Sequence, residues 1–249
     1  MAKMAEIQQF MQQMAPTELA ADWDNVGVLV DCSKDITGIL VSLDITEEVV
    51  SEAEEQGCQL IVSHHPVIFK PLSRLNRKNI AFQMIEKGIS ALCAHTNLDA
   101  ADGGVNDVLA QLMGLQNAKP FGEGSMGRIG TVETTTVHQL AERCRDALKA
   151  GGVKMSDTGC PIHKLAIVTG SGGSMFREAI AEGADALLTG EASHHDALDA
   201  KQLGLSMVAA GHYSTEVPVV PVLADRLSRQ FPDVRVLCSS CGHDPFTYL

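Results

Sequence analysis

A chain of 249 residues is long enough for one large domain or two of ordinary size, and 45% hydrophobic and 20% charged residues are typical of a soluble globular protein. The formal charge of −12 disfavours a protein that coats nucleic acid, but it does not exclude a small anionic substrate held by metal ions. No apolar run reaches the ~20 residues of a transmembrane helix, and the polar, amphipathic first residues are a poor secretion signal, so we expect a cytoplasmic protein with no membrane partner.

The first part of the chain alternates helical patterns with short apolar runs. Residues 3–14 have helical periodicity, a second helix runs from the capping residue Thr46 to about residue 56, and a third spans residues 77–87. Buried strands are predicted at residues 26–30, 39–43, 60–62 and 89–94. This alternation predicts a largely parallel or mixed sheet covered by helices.

A Gly-rich, polar stretch at residues 117–130 is interpreted as a domain boundary. A second α/β pattern follows it, with helices at 137–148, 176–181, 197–203 and 217–230 and strands at 164–168, 186–188 and 205–209. A strand at 234–237 can return to the first sheet. The predicted domains are therefore residues 1–124 with 223–249, and residues 125–222.

The seven cysteines lie mostly in apolar runs, which indicates reduced thiols. Cys238 and Cys241 form the one C-x-x-C pair, without a second pair at zinc-ribbon spacing. A structural or incidental role is favoured over a metal or redox role.

The same order of features appears twice along the chain. In each copy Glu-Ala, a glycine and an apolar strand precede Ser-His-His, and after another apolar strand a histidine is followed four residues later by an acid. The paired motifs are Ser63-His64-His65 with Ser193-His194-His195, and His95-x-x-x-Asp99 with His212-x-x-x-Glu216. The repeat predicts two similar α/β halves related by pseudo-two-fold symmetry, with mixed sheets flanked by helices and a metal site in the cleft between the halves.

Histidines and carboxylates after strands are a ligand set for zinc, iron, manganese or nickel. Neighbouring residues in extended backbone point in opposite directions, so His64 and His65 suit two neighbouring ions, the alternative being a polar loop with solvated imidazoles. Two ions ~3.5–4 Å apart suit hydrolysis, and the longer side chain of Glu216 makes it the better bridge between them.

Local geometry should differ between the two His-x-x-x-acid motifs. His212 and Glu216 share one face if their segment is helical. Asn97 and the glycines that follow predict a loop after His95, in which Asp99 can bind metal while His95 orients it. The alternative for both motifs is helix capping plus one surface histidine.

Three further groups have less specific signals. His194 and His195 are expected to line the cleft or contact substrate, with metal binding and a surface role as alternatives. The segment Gly170-Ser-Gly-Gly-Ser174 is a structural turn or, less favoured, an anion-binding loop. The isolated histidines are interpreted as surface or core residues, and they are His138, His163 and His243.

Nearly the whole chain resembles the Nif-three-like family, also described as GTP cyclohydrolase I type 2 homologues. The motifs that carry the resemblance are Trp23-Asp-Asn-Val-Gly27, Ser63-His-His-Pro66 with Phe69-Lys-Pro71, His95-Thr-Asn-Leu-Asp-Ala100, Gly103-Gly-Val-Asn-Asp107, Gly170-Ser-Gly-Gly-Ser174 and Gly211-His-Tyr-Ser-Thr-Glu216. The ending Cys238-Ser-Ser-Cys241-Gly-His243 departs from the usual apolar one.

The resemblance implies two similar α/β halves, a dinuclear metal centre and a toroidal homohexamer built as a trimer of dimers. It implies that His64 and Asp99 hold one metal, that His65 and His212 hold the other, and that Glu216 bridges both. The residues that it implies line the site are His95, Glu191, His194 and His195.

Three functions are compatible with these features. The favoured one is a metal-dependent hydrolase, of cyclohydrolase type, acting on a small anionic or nucleotide substrate, although no guanine-binding motif is visible. The second is a non-catalytic metal-binding protein with a regulatory or interaction role. The third, a nucleic-acid hydrolase or binder, is disfavoured by the charge of −12. Five protein ligands for two metals leave positions open, as catalytic metal sites do.

Overall fold

A computed structural model describes residues 1–249. The chain forms two compact units, the first made of Met1–Ala101 and Val219–His243 and the second of Asp102–Pro218 and Asp244–Leu249. Both are α/β, with a mixed sheet flanked by helices in each, so the predicted fold class is confirmed.

The first unit contains five strands and five helices. In chain order they are α1 (Met4–Met14), β1 (Gly27–Val30), β2 (Gly38–Ser42), α2 (Glu47–Glu55), β3 (Leu60–Ser63), α3 (Ile80–Lys87), β4 (Ser90–Cys93), α4 (Thr96–Ala100), α10 (Val219–Gln230) and β11 (Arg235–Cys238). The strand order is β1-β4-β3-β2-β11. Strands β11, β2, β3 and β4 are parallel, and β1 is antiparallel to β4 at one edge. The prediction that a strand near residue 235 returns to the first sheet is confirmed.

The second unit contains six strands and five helices. In chain order they are α5 (Val105–Leu112), β5 (Gln116–Phe121), β6 (Gly127–Thr135), α6 (Val137–Leu148), β7 (Lys154–Ser156), β8 (Ile162–Val168), α7 (Phe176–Ala181), β9 (Ala186–Thr189), α8 (His194–Gln202), β10 (Ser206–Ala209) and α9 (His212–Glu216). The strand order is β5-β6-β8-β9-β10-β7, with β8, β9 and β10 parallel and the other three strands antiparallel to their neighbours. Three 3₁₀ turns complete the chain, at Thr17–Leu19, Glu123–Ser125 and Gly173–Met175.

The sequence repeat corresponds to a shared topology. In the first unit β2, α2, β3, α3 and β4 form three parallel strands joined by helices, and in the second β8, α7, β9, α8 and β10 do the same. In each unit an antiparallel strand that comes earlier in the chain, β1 or β7, pairs beside the last of the three. Every residue of the second and third parallel strands is buried in both units, as in sheets covered on both faces.

The stretch at 117–130 is a β-hairpin of the second unit, and its interpretation as a boundary linker is wrong at the level of secondary structure. β5 pairs antiparallel with β6, and the turn between them contains Gly122 and Gly124 in left-handed conformation. Because β5 is an edge strand with exposed side chains, its composition is polar. Residues 102–124 therefore fold with the second unit, whereas the predicted domains placed them in the first.

Each unit has its own hydrophobic core. In the first, Leu40, Ile61 and Ala91 pack with helix α2 through Val49 and Ala53. In the second, alternate residues of β8 enter two separate clusters on opposite faces of the sheet, one containing Leu165 and Ile167 and the other Ala166 and Val168. No helix of the chain combines the length and apolarity that crossing a bilayer would need.

Candidate metal centre

The parallel strands of the first unit bring three polar segments to one edge of the sheet. Asp44 follows β2, His64 and His65 follow β3, and His95 follows β4. The backbone keeps these segments together, because the amide of His65 donates to the carbonyl of Leu43 at 2.9 Å. The strand ends thus gather three imidazoles within one unit, as expected at the carboxyl edge of a parallel sheet.

The three imidazoles form a compact group. The ring centroids of His64 and His65 lie 4.9 Å apart, those of His64 and His95 5.2 Å, and those of His65 and His95 5.5 Å. One ring nitrogen from each residue lies within 4.8 Å of the others, close enough for a shared metal site. His64 is buried at 1% exposure, and its Nε2 lies 3.7 Å from Oδ1 of Asp99.

Each of these imidazoles has its Nδ1 against an oxygen acceptor. Nδ1 of His64 donates to the carbonyl of Ala94 at 3.0 Å, Nδ1 of His65 lies 2.7 Å from Asp44, and Nδ1 of His95 lies 2.8 Å from Asp24. Such contacts fix the tautomer and orientation of a ligating histidine and leave Nε2 as the ligand atom.

Asp24 and Asp44 each hold the Nδ1 of one imidazole, a role that the sequence prediction did not assign. The carboxylate of Asp24 has no exposed side-chain surface and accepts hydrogen bonds from His95 and from the backbone amide of Thr96 at 3.0 Å. Burial alone would raise the pKa of Asp24, but the hydrogen bonds from His95 and Thr96 outweigh it and hold the pKa well below its ordinary value. Two sequence features could have identified these residues. Asp24 lies in the Trp-Asp-Asn-Val-Gly motif, and Asp44 follows a strand of the predicted sheet.

The predicted loop after His95 is instead the short helix α4, Thr96–Ala100, so this prediction is wrong. Asp24 accepts from the amide of Thr96 and caps the helix, and the buried side chain of Asn97 donates to the carbonyl of Ala15 at 2.7 Å. The cap comes from a residue distant in sequence, so the local pattern did not reveal the helix. The imidazole of His95 contacts Asp24, and the Asp99 carboxylate faces His64.

The second unit gathers an equivalent set at its strand ends. Ser171 follows β8, Glu191 follows β9, and His212 and Glu216 follow β10 on the predicted helical turn α9. Nε2 of His212 lies 3.1 Å from Oε2 of Glu216, which confirms that the two side chains share a face. Nδ1 of His212 lies 3.4 Å from Oε2 of Glu191, so this imidazole also presents its Nε2.

Glycines let backbone approach the Glu216 carboxylate closely. A Cβ on Gly170, which has φ +57°, would lie 2.2 Å from Oε1 of Glu216 and 3.2 Å from Nε2 of His212. A Cβ on Gly190 would lie 2.8 Å from the Cα of His212. Side chains at these two positions would occupy the space beside the donors, which explains glycine there.

The loop at 170–174 is a structural turn. Its amides are engaged by the protein, because Gly170 donates to Thr215, Gly172 to Thr189 and Gly173 to the carbonyl of Glu191. These three amides are not directed at an outside anion, so the structure favours the turn over the phosphate-binding alternative.

Glu191 is a half-exposed carboxylate beside His212. Its Oε2 accepts from Oγ of Ser171 at 2.7 Å. This hydrogen bond is the largest influence on the carboxyl and lowers the pKa of Glu191, with His212 acting in the same direction against partial burial. Glu191 is therefore charged at neutral pH and stabilises a proton on Nδ1 of His212.

His194 and His195 differ from their counterparts in the first unit. They begin helix α8, both are exposed, and their ring centroids lie 5.5 Å apart. Ser193 and Asp196 form a reciprocal cap that starts the helix at once, whereas His64 and His65 lie in a bend before Pro66. Neither belongs to a group of three potential ligands whose atoms lie within 4.8 Å, and the same holds for Cys238 and Cys241.

The donor chemistry fits divalent transition metals. Imidazole Nε2 atoms with fixed tautomers, together with the buried carboxylates of Asp99 and Glu216, suit zinc, iron, manganese or nickel.

Comparison with known proteins places the chain in one family. The family model described as Duf34/NIF3 (NGG1p interacting factor 3) matches residues 2–245. A Clostridium perfringens protein called "GTP cyclohydrolase 1 type 2 homolog" is 35% identical over 99% of this chain and 100% of its own length. "NGG1-interacting factor 3" of Saccharomyces cerevisiae is 31% identical over 78% of this chain and 79% of its own length. A Staphylococcus aureus crystal structure matches at 29% identity with a TM-score of 0.90, covering 99% of both chains. The chain therefore belongs to the DUF34/NIF3 family.

Proposed function

We propose that this chain binds two divalent metal ions and uses them for hydrolysis of a small anionic substrate. One observation carries the proposal. Four imidazoles, those of His64, His65, His95 and His212, each have Nδ1 against an oxygen and so present Nε2 as a ligand atom. Solvated surface histidines have no need of such outer contacts.

The proposed ligand set is the one that the family resemblance implies. His64 and Asp99 would hold one ion, His65 and His212 the other, and Glu216 would bridge the two. His95, with Nδ1 held by Asp24, is the additional imidazole of the first unit and would line the site.

Divalent ions held in this way would supply Lewis acidity, which acidifies water and polarises the bond under attack. The chain's own residues hold and orient the donors. Asp44 and Glu191 keep protons on Nδ1 of His65 and His212, while Gly170 leaves room beside Glu216. Glu191, half exposed and charged, can accept a hydrogen bond from a water or substrate group near His212.

Metal content tests the proposal directly. Untagged protein purified without chelators or added metal should contain close to two ions per chain by elemental analysis. Absence of metal even after incubation with zinc, manganese, iron or nickel would refute the metal centre and with it the hydrolase.

Substitution of Glu216 tests the bridge. Glu216→Gln removes the charge while preserving size, so metal content should fall to at most one ion per chain and hydrolysis should be lost. Glu133→Gln, on an exposed face of β6, is the matched control and should keep two ions. Two ions per chain in Glu216→Gln would refute the bridging role.

A substrate screen should begin with GTP and other nucleotides, because relatives such as the C. perfringens protein are called "GTP cyclohydrolase 1 type 2 homolog". The alternative function is a non-catalytic metal-binding protein in regulation or interaction, which the name "NGG1-interacting factor 3" of the yeast relative favours. Full metal content without turnover of any compound in the screen would support this alternative.

A further inference from the structure

The segment Asp244–Leu249 packs against the second unit, although the residues just before it belong to the first. Its start is a local turn, in which the amide of Phe246 donates to Oδ1 of Asp244 at 2.9 Å. The hydroxyl of Tyr248 donates to the other carboxylate oxygen of Asp244 at 3.3 Å. The segment is thus folded so that the aromatic ring of Tyr248 faces the second unit.

The ring of Tyr248 lies against a pair of glycines. A Cβ on Gly151 would lie 2.0 Å from Cδ2 of Tyr248, and a Cβ on Gly152 would lie 2.9 Å from Cδ1. Neither glycine has a positive φ, so backbone conformation does not require glycine at these positions. The space taken by the ring accounts for both.

The hydroxyl of Tyr248 reaches the turn that precedes His212. Gly211 has φ +94°, and a Cβ placed there would lie 3.5 Å from the Tyr248 hydroxyl. The amide of Gly211 donates to the carbonyl of Gly190 at 2.9 Å, and the next residue begins helix α9. One side chain therefore touches the glycine pair before β7 and the turn after β10, two strands that pair antiparallel.

The phenol is a neutral donor at physiological pH. Burial raises the pKa of Tyr248, and the carboxylates of Asp244 and Glu191 raise it further.

We propose that Tyr248 is a positioning residue for His212. Its ring, seated on Gly151 and Gly152, braces the Gly211 turn, so that His212 keeps its contacts with Glu191 and Glu216. The consequence for metal binding rests on the proposed function, whereas the effect on the orientation of His212 does not.

The first test uses the metal-free full chain. Side-chain NMR of the imidazoles, with His212 assigned by its loss in His212→Ala, should show displaced His212 signals in Tyr248→Ala. Tyr248→Phe retains the ring and should restore most of the wild-type signals. Phe246→Ala, a neighbouring aromatic that is 68% exposed, is the control and should leave His212 unchanged. Unchanged His212 signals in Tyr248→Ala would overturn the proposal.

The glycine pair provides a second test that leaves Tyr248 in place. Gly151→Ala should expel the ring and displace the His212 signals as Tyr248→Ala does. In the double variant Gly151→Ala/Tyr248→Ala the added methyl group no longer clashes with an aromatic ring. The His212 signals of the double variant should therefore match those of Tyr248→Ala alone. Independent, additive displacements would contradict the brace.

Metal affinity separates this proposal from the proposed function. Competition with a chromophoric chelator, using zinc as the probe, should show a loss of ~10-fold or more in Tyr248→Ala, as for other residues that orient ligands. Displaced His212 signals in a protein that binds no zinc would support the brace and refute the metal centre. Displaced His212 signals with wild-type zinc affinity in Tyr248→Ala would support the brace and refute His212 as a metal ligand.

Discussion

At the scale of single residues, the partners of the Nδ1 atoms indicate metal binding more specifically than the presence of the histidines does. Asp24, Asp44, Ala94 and Glu191 each hold one Nδ1. Two of these partners are carboxylates that follow strands, one is a backbone carbonyl, and one lies in a distant loop. The fixed Nε2 direction is therefore a property of the folded units, although the histidines are visible in the sequence.

Trp23 provides an internal reporter for the His95 side of this group. It is the single tryptophan, is 63% exposed, and its ring centroid lies 6.2 Å from that of His95. Binding of Co²⁺ should quench its fluorescence, because an open-shell ion deactivates a nearby excited indole, whereas closed-shell Zn²⁺ should not. Titration of the metal-free protein measures this effect.

His64→Ala should weaken the Co²⁺ quenching by raising the concentration needed for half effect by ~10-fold or more. His138→Ala removes an exposed imidazole on helix α6 and should leave the titration unchanged. Equal titrations for both variants would show that the ion binds elsewhere.

At the scale of elements, a buried ion pair fastens helix α5 to strand β6. The guanidinium of Arg128 is 1% exposed and makes two contacts with Asp107, from Nε at 2.6 Å and from Nη2 at 3.2 Å. It also donates to the carbonyls of Ser125 and Gly127. Asp107 in turn accepts from the amide of Gly103 at the start of the helix.

Removal of one partner of the Asp107–Arg128 pair should lower the free energy of unfolding far more than replacement of both. Asp107→Ala leaves a buried charge and should lower the free energy of unfolding by about 3–5 kcal/mol. The double variant Asp107→Leu/Arg128→Met should recover most of this loss. Urea unfolding measures both, and a double variant as unstable as Asp107→Ala would contradict the ion-pair explanation.

Strand β11 is followed by a segment that is held by helix α2. Glu52 accepts hydrogen bonds from the hydroxyls of Ser239 and Ser240 and from the amide of Ser240 at 2.9 Å. Burial would raise the pKa of Glu52, but these hydrogen bonds outweigh it and lower the pKa. The carboxyl is thus more acidic in the folded chain than in the unfolded one.

A lowered folded pKa means that the contribution of Glu52 is fully present above the unfolded pKa of about 4.3 and is lost as pH falls through the folded pKa. Glu52→Gln should therefore destabilise the protein by about 1 kcal/mol at pH 7, and the difference from wild type should shrink below about pH 4. Glu55→Gln, exposed on the same helix, is the control. A difference that stays constant down to pH 3 would contradict the assignment.

Local signals made several elements predictable. Helix α2 begins after Thr46, whose side chain accepts from the amide of Val49, and has Glu47 and Glu48 in its first turn. The core strands of both repeats could be predicted because they are short apolar runs between helices. The hairpin β5–β6 could not, since an edge strand with exposed side chains has no apolar signature. Helix α4 could not either, because its cap, Asp24, is far away in the chain.

At the scale of the whole molecule, we propose the hexamer implied by the family resemblance. Several large apolar side chains are exposed in one segment, among them Phe69, Leu72 and Leu75 at 46%, 44% and 61% exposure. Six chains of 26.5 kDa give a mass of about 159 kDa, which light scattering on eluted protein would detect. A mass of one chain at micromolar concentration would contradict the hexamer.

The discontinuity of both units has a consequence for synthesis. The sheet of the first unit is incomplete until β11 has been synthesised, which happens only after all of Asp102–Pro218. The segment Asp244–Leu249 of the second unit is synthesised a few residues later. The last segments of both units are therefore synthesised within a few residues of each other, at the end of translation of residues 219–249. The edge of β2 that pairs with β11 therefore stays unpaired while residues 102–234 are synthesised, and we expect holdase chaperones to bind the nascent chain most during that interval.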